Sequence, residues 1–450
     1  MSRFRSTFGC LFFAVLLAHP HGGAAAPVSF RREVQPLLRA NCVACHKPSK
    51  DKGGLDMTSH AALLRGGKHG NTVVPGQPDK SRLIRDVSGP SPVMPEEGEA
   101  LLPTEVETLS RWIAEGAADD THATRDPSTE APPVYRRLPA VAALAWSPNA
   151  EFLAVAAHSE VLLFAEGAET PSLRLRGEAA RIESLAFSCS GRFLAAAGGS
   201  PSEFGEIQIW DAAHGRLVRS IRTSHDMVHG VSFSEDEKLV AVGCTDKLVR
   251  IFSVESGDEQ MRCDNHIDWV LATTFTRDAK RVVSASRDRA LKLIDVATGR
   301  LIDDVAIPRG PLSCLARHPS QDLVAYGSSD GQIFLNRMEP RGGRLSEGDN
   351  KELSFVRAFP RTNGAVTALA FNRDGTLLTA VSARGEAAIF GAADGKKVTS
   401  LKTPQAPLFA VAFHPLNAVV ATAGYDGKIR LFDIKDGREK KQWDCVPLAP

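Results

Sequence analysis

Three rhythms of apolar and polar positions divide the chain. From Phe8 to Ala18 the apolar residues run together as FGCLFFAVLLA. Between Ser29 and Ala117 they recur at helical spacing. Phe30, Val34, Leu37 and Leu38 share one face of SFRREVQPLLRA, with Ser29 as the expected N-cap and Pro36 placed to kink the helix. In LPTEVETLSRWIAEGA, Val106, Leu109 and Ile113 share a face beside Trp112; Thr104 and Glu107 are spaced as a capping box, and Gly116 is placed to end the helix.

Beyond the polar, proline-containing stretch DDTHATRDPSTEAPP, residues 119–133, the rhythm changes to short strands that repeat. VAALAWSPNAEFLAVAA aligns with IESLAFSCSGRFLAAAG, VHGVSFSEDEKLVAVGC, VLATTFTRDAKRVVSAS, LSCLARHPSQDLVAYGS, VTALAFNRDGTLLTAVS and LFAVAFHPLNAVVATAG. Seven copies result, phased on Trp146, Phe187, Phe233, Phe275, Arg317, Phe371 and Phe413, and four of the six steps are 41 or 42 residues. Units of that length built from short strands and turns are the blades of a propeller. The two longer steps hold insertions, GGSPSEFGE after Gly198 and RMEPRGGRLSEGDNKELS from Arg337 to Ser354. The last blade needs a closing strand, supplied either by residues 438–445 (REKKQWDC) or by residues 134–138 (VYRRL).

The first rhythm reads as an export signal, residues 1–26. Arg3 and Arg5 precede the apolar run, and GGAAAP offers small residues for cleavage near Ala26. The run is short of the ~20 apolar residues that span a bilayer. A periplasmic or otherwise exported protein is expected, with no membrane span after cleavage. With 54 basic and 53 acidic residues the net charge is +1, which gives no electrostatic footprint for nucleic acid.

Between the first helix and the polar stretch lies NCVACHKP. The pair Cys42-x-x-Cys45 suits a redox disulfide, a zinc site or, with His46 following, covalent haem. A redox CxxC needs a preceding strand, and here a helix precedes. Zinc needs four ligands, and His60 and His69 fit no zinc spacing. Haem uses every residue: two thiols three apart add across two vinyl groups, and His46 is then held under the iron. Met94, in the proline-rich SPVMPEEGEALL, either fills core or offers its thioether to the sixth iron position. Spacing leaves both open.

The order F..EV.PLL...C..CH, KGGLDM, GG, VVPGQPDKSRLI, MPEEGEALL and WIAEGA, all between Phe30 and Ala117, resembles the cytochrome c domain abundant in planctomycetes. The resemblance implies one haem c attached at Cys42 and Cys45, His46 as proximal iron ligand and Met94 as distal ligand. One position departs: the family commonly has two prolines after the methionine, whereas Met94 is followed by Pro95 and Glu96.

The repeats resemble WD40 repeats. NHIDWVLATTFTRDAKRVVSASRDRALKLID carries His266, Asp288 and a strand ending at Asp295 where that family places a hydrogen-bonded network, and Trp210-Asp211 is a literal WD pair. Most copies lack the histidine, so blade stability is expected to rest on apolar burial. His318 and His414 precede prolines and read as turn residues, and His229 and His266 fall in other phases of the repeat. Cys189, Cys244, Cys263, Cys314 and Cys445 are scattered without a short spacing, which favours buried thiols over disulfides.

The expected architecture is a small all-α cytochrome c domain (27–118), a linker (119–133) and an all-β seven-bladed WD40-type propeller (134–450). The expected function is single-electron transfer, with the propeller docking a protein redox partner. A haem-bearing scaffold or sensor is the alternative. A peroxidase-like enzyme would need an open iron position, which a bound Met94 closes; failing Met94, His60 or His69 would be the sixth ligand.

Overall fold

The computed structural model describes residues 27–47, 50–120, 133–340 and 354–448. The export segment, most of the 119–133 linker and most of the second insertion lie outside the described residues. The chain divides into two compact units, residues 1–120 and 121–450.

In the first unit a π-helical turn, Phe30–Val34, runs into helix α1 (Gln35–Asn41), with Pro36 in its first turn. Proline has no N–H to give to the preceding turn, so the junction of the two helix types falls at the expected kink. The Ser29 carbonyl accepts from the Glu33 and Val34 amides, and the Glu33 carboxylate returns to the Ser29 amide at 2.8 Å. Helices α2 (His60–Arg65), α3 (Arg82–Val87) and α4 (Pro103–Ala114) follow. The start of α4 corrects the expected box at Thr104 and Glu107. Pro103, whose missing N–H costs nothing at a helix start, takes the first position, and Glu105 accepts the Leu102 amide at 2.8 Å. Its end falls as expected at Gly116, with φ of 102°.

Phe30, Val34, Leu38, Leu63, Leu109, Trp112 and Ile113 make one core. This unit is not purely α: a two-residue antiparallel ladder pairs His46–Lys47 with Lys50–Asp51. Helical periodicity cannot show so short a ladder, because two residues carry no period.

The second unit is a seven-bladed all-β propeller, each blade a four-stranded antiparallel sheet with its strands in sequence order from the inside out. The second strand of each blade is buried on both faces, and its alternate residues serve different cores. In Phe193–Ser200, Leu194 and Ala196 pack with the first blade, while Ala195 and Ala197 pack with the third. Glu439–Asp444 completes the last blade, which settles closure in favour of the C-terminal strand. The ring is sealed where Val141–Trp146 packs beside Leu408–Phe413. Residues 134–138 supply no strand to a blade; Tyr135 pairs with Leu448 through one parallel bridge. The first insertion is a lengthened hairpin, Phe193–Ser200 with Phe204–Asp211.

The blade-binding network stands where expected in the fourth blade. His266 Nδ1 meets Asp288 Oδ2 at 2.8 Å and Nε2 meets Ser284 Oγ at 2.8 Å. Other blades, expected to rest more on apolar burial, carry buried polar pairs beside their apolar cores. Buried Glu160 pairs with Arg174 and accepts from the Tyr135 hydroxyl in the first blade, and buried Glu206 accepts from the Glu178 and Ala179 amides in the second. Asp246 pairs with Arg250 in the third blade, as Asp426 does with Arg430 in the seventh. Asp246 and Asp426 stand at the same turn position as Asp288, two residues past the second strand, whereas Glu160 and Glu206 lie on third strands, outside the motif.

His318 and His414 are turn residues, as expected: the Nδ1 of each accepts main-chain N–H groups two or three residues on. Cys244, Cys263, Cys314 and Cys445 are buried free thiols, and burial pushes Cys244, Cys314 and Cys445 up to about 12. Cys189 departs from the expectation and is exposed.

Candidate functional site

The first unit holds a cavity of about 1200 Å³, part of it open to solvent. Cys42, Cys45, His46 and Met94 all line it. They arrive by different routes. Cys42 follows α1 directly, its amide bonded to the Leu38 carbonyl at 2.8 Å, and the Cys45 and His46 amides then both reach the Cys42 carbonyl. The motif is thus one helical turn continued past the helix end, which sets thiols three apart on one side. Burial pushes the Cys42 thiol up to about 11, keeping it protonated and uncharged.

The His46 ring is oriented by its own chain. Nδ1 lies 3.0 Å from the Lys52 carbonyl oxygen, an acceptor only, so Nδ1 carries the proton and Nε2 keeps a free lone pair. A main-chain carbonyl on the far nitrogen is the usual support of a metal-binding histidine. The opposing chain follows α3. The Met94 amide donates to the Asp86 carbonyl at 2.8 Å, and Met94 is half-buried against the core.

Glycines close the wall between. Gly53 adopts φ of 70°, and the Lys68 amide reaches its carbonyl at 2.9 Å. A Cβ on Gly67 would stand 2.8 Å from that carbonyl oxygen, so the GG of the sequence is needed for these two segments to touch.

Of the two alternative ligands, His60 is removed. Its Nε2 is 2.8 Å from the Ala117 carbonyl, and its ring packs edge-on to Phe30 and Trp112, away from the cavity. His69 does line the cavity, from an exposed position. Sequence reasoning missed Lys52, Arg82, Asp86 and Glu96, which also line it. Arg82 and Asp86 pair at 3.0 Å across one turn of α3, and their spacing of four was the readable signal. Lys52 Nζ and Glu96 Oε2 pair at 3.0 Å from distant segments, with no local signal.

The donor set fits a covalent haem: two thiols at the required spacing, one imidazole and one thioether share a single cavity whose lining mixes apolar and charged side chains. Among the described residues no three His, Cys, Asp or Glu side chains gather as a metal cluster, and no helix is long and apolar enough to cross a membrane.

Residues 42–98 match the family model for planctomycete cytochrome C. Residues 215–253 and 395–433 match the WD domain, G-beta repeat, and residues 315–413 match the anaphase-promoting complex subunit 4 WD40 domain. Similar curated proteins include the target of rapamycin complex subunit LST8-1 of Arabidopsis thaliana, 26% identical over 51% of this chain and 73% of its own length. The serine-threonine kinase receptor-associated protein of Mus musculus is 22% identical over 53% of this chain and 64% of its own. Among solved structures, a computationally designed protein, Ika8, superposes with a TM-score of 0.52 at 20% identity, covering 69% of this chain and 88% of its own, a likeness of fold alone.

Proposed function

From a planctomycete cytochrome C segment joined to a WD40 propeller, we propose that this protein is an exported c-type cytochrome that passes single electrons, with the propeller as the platform for a protein partner. The observation that carries the reading is the convergence of Cys42, Cys45, His46 and Met94 on one cavity. Haem c held there supplies a one-electron iron couple.

The chain's own residues have separable tasks. Cys42 and Cys45 provide the two thiols for thioether attachment. His46 offers Nε2 because Lys52 O holds the proton-bearing Nδ1. Met94 would offer a neutral sulfur to the iron, which would favour its reduced state. Leu55, Met57, Leu83 and Val87 give the cavity an apolar patch against which a flat macrocycle would pack.

The WD40 relatives whose names place them in complexes, a target of rapamycin complex subunit and a receptor-associated protein, support docking as the propeller's task. Such surfaces act through shape and a few anchors. In the fourth blade Trp269 stands exposed beneath the Arg287 guanidinium, 4.5 Å from the ring centre, and beside exposed Ile267.

The test is covalent attachment. Full-length protein matured in an exporting host with cytochrome c assembly factors should retain haem through acid-acetone extraction, and complete extraction would sink the proposal.

A further inference from the structure

We propose that Lys52 and Glu96 are positioning residues: their ion pair is a clasp across the cavity that holds the Met94 loop closed against the His46 side. This inference rests on the haem reading of the cavity and concerns how firmly its sixth position is kept.

Lys52 acts twice. Its carbonyl fixes His46 at 3.0 Å, and its ammonium reaches Glu96, two residues past Met94, at 3.0 Å. The loop it reaches has little else to hold it. Between α3 and α4, residues 88–102 contain no helix or strand, and Val93 and residues 96–100 are exposed. The Met94 amide is tied to Asp86 on one side, and the chain regains the core only at Leu101. Glu96 therefore holds the loop at the midpoint of an otherwise exposed span.

With side chains 44% and 65% exposed, this ion pair weakens as salt screens it. Met94 dissociation, and with it access of outside ligands to the sixth position, should depend on ionic strength in this protein.

The side chain of Lys52 can be changed without removing the carbonyl that orients His46, which makes the clasp separable from the proximal site. Lys52→Glu and Glu96→Lys each place like charges face to face, and the double exchange restores an opposite pair. In the ferric full-length protein, each single variant should bind imidazole about two- to five-fold more tightly than wild type, and the double exchange should return to the wild-type affinity. Raising salt toward ~1 M, which screens attraction and repulsion alike, should bring wild type and the single variants together.

Equal affinity in all four proteins, or single variants that the double exchange does not rescue, overturns the clasp. A wild-type protein that carries no covalent haem overturns the electron-carrier reading instead. The clasp is then decided in the haem-free full chain by amide exchange over residues 93–102, where faster exchange in both single variants with rescue in the double supports it and equal exchange overturns it.

Discussion

Asp288→Ala should be the most damaging polar substitution in the fourth blade. The carboxylate accepts three hydrogen bonds, from His266 Nδ1 at 2.8 Å, the Ile267 amide at 3.0 Å and the Ala290 amide at 2.9 Å. The partners differ in what water can replace. Ile267 is 78% exposed and its amide can be rehydrated, whereas the His266 side chain is 1% exposed and Ala290 8%, so their donors are left unpaired. Two stranded donors at about 1–3 kcal/mol each, with little from the third, give an expected loss of about 2–6 kcal/mol. Ser284→Ala, which removes only the bond at His266 Nε2, should cost about 1 kcal/mol.

The assay is urea unfolding of the full-length protein followed by the β-sheet dichroism of the propeller, with the slope of the transition checked for constancy. Burial works against ionisation of Asp288, but the bonds from His266, Ala290 and Ile267 outweigh it and hold the carboxyl at about 2, below its ordinary value. A depressed carboxyl stabilises the fold above its unfolded value, near 4, and loses that contribution as pH falls toward 2. The gap between wild type and Asp288→Ala should therefore be full at neutral pH and narrow below about pH 4. A loss under ~1 kcal/mol, or a gap unchanged down to pH 2, would refute the reasoning.

Three further outcomes are expected. Met94→Ala should abolish the near-infrared charge-transfer band of a thioether-ligated ferric haem, lower the reduction potential and admit cyanide; a variant unchanged in all three would make His69 the candidate ligand. Gly67→Ala, whose Cβ would stand 2.8 Å from the Gly53 carbonyl oxygen, should destabilise the small unit by about 1–3 kcal/mol and reduce haem retention, read by thermal unfolding and haem stain; wild-type values in both would count against the closed wall. A fragment of residues 132–450 should fold without haem, because the second compact unit begins at Thr121 and carries its own inter-blade cores; a protease-sensitive fragment would contradict this.

Much of the architecture was legible in the chain because it is written in local or periodic terms. Seven copies at near-constant intervals dictate seven blades, since each blade is one supersecondary unit. The spacing Cys42, Cys45, His46 sets three groups within one helical turn, so it states its chemistry without reference to the rest of the fold. The turn roles of His318 and His414 were equally local, set by the prolines that follow them.

What only the tertiary structure decided depends on residues far apart in sequence. His60 and His69 looked equivalent as ligands until packing turned His60 to Phe30, Trp112 and the Ala117 carbonyl, 57 residues on, and left His69 on the cavity wall. The start of α4 moved to Pro103 because proline at the first helical turn outweighs a capping box spelled two residues later. Buried carboxylates such as Glu160 and Glu206 support blades that lack the motif histidine, through partners that no fixed spacing announces. Lys52 and Glu96 meet across 44 residues of chain, and a contact of that separation exists only once the fold has brought its two loops together.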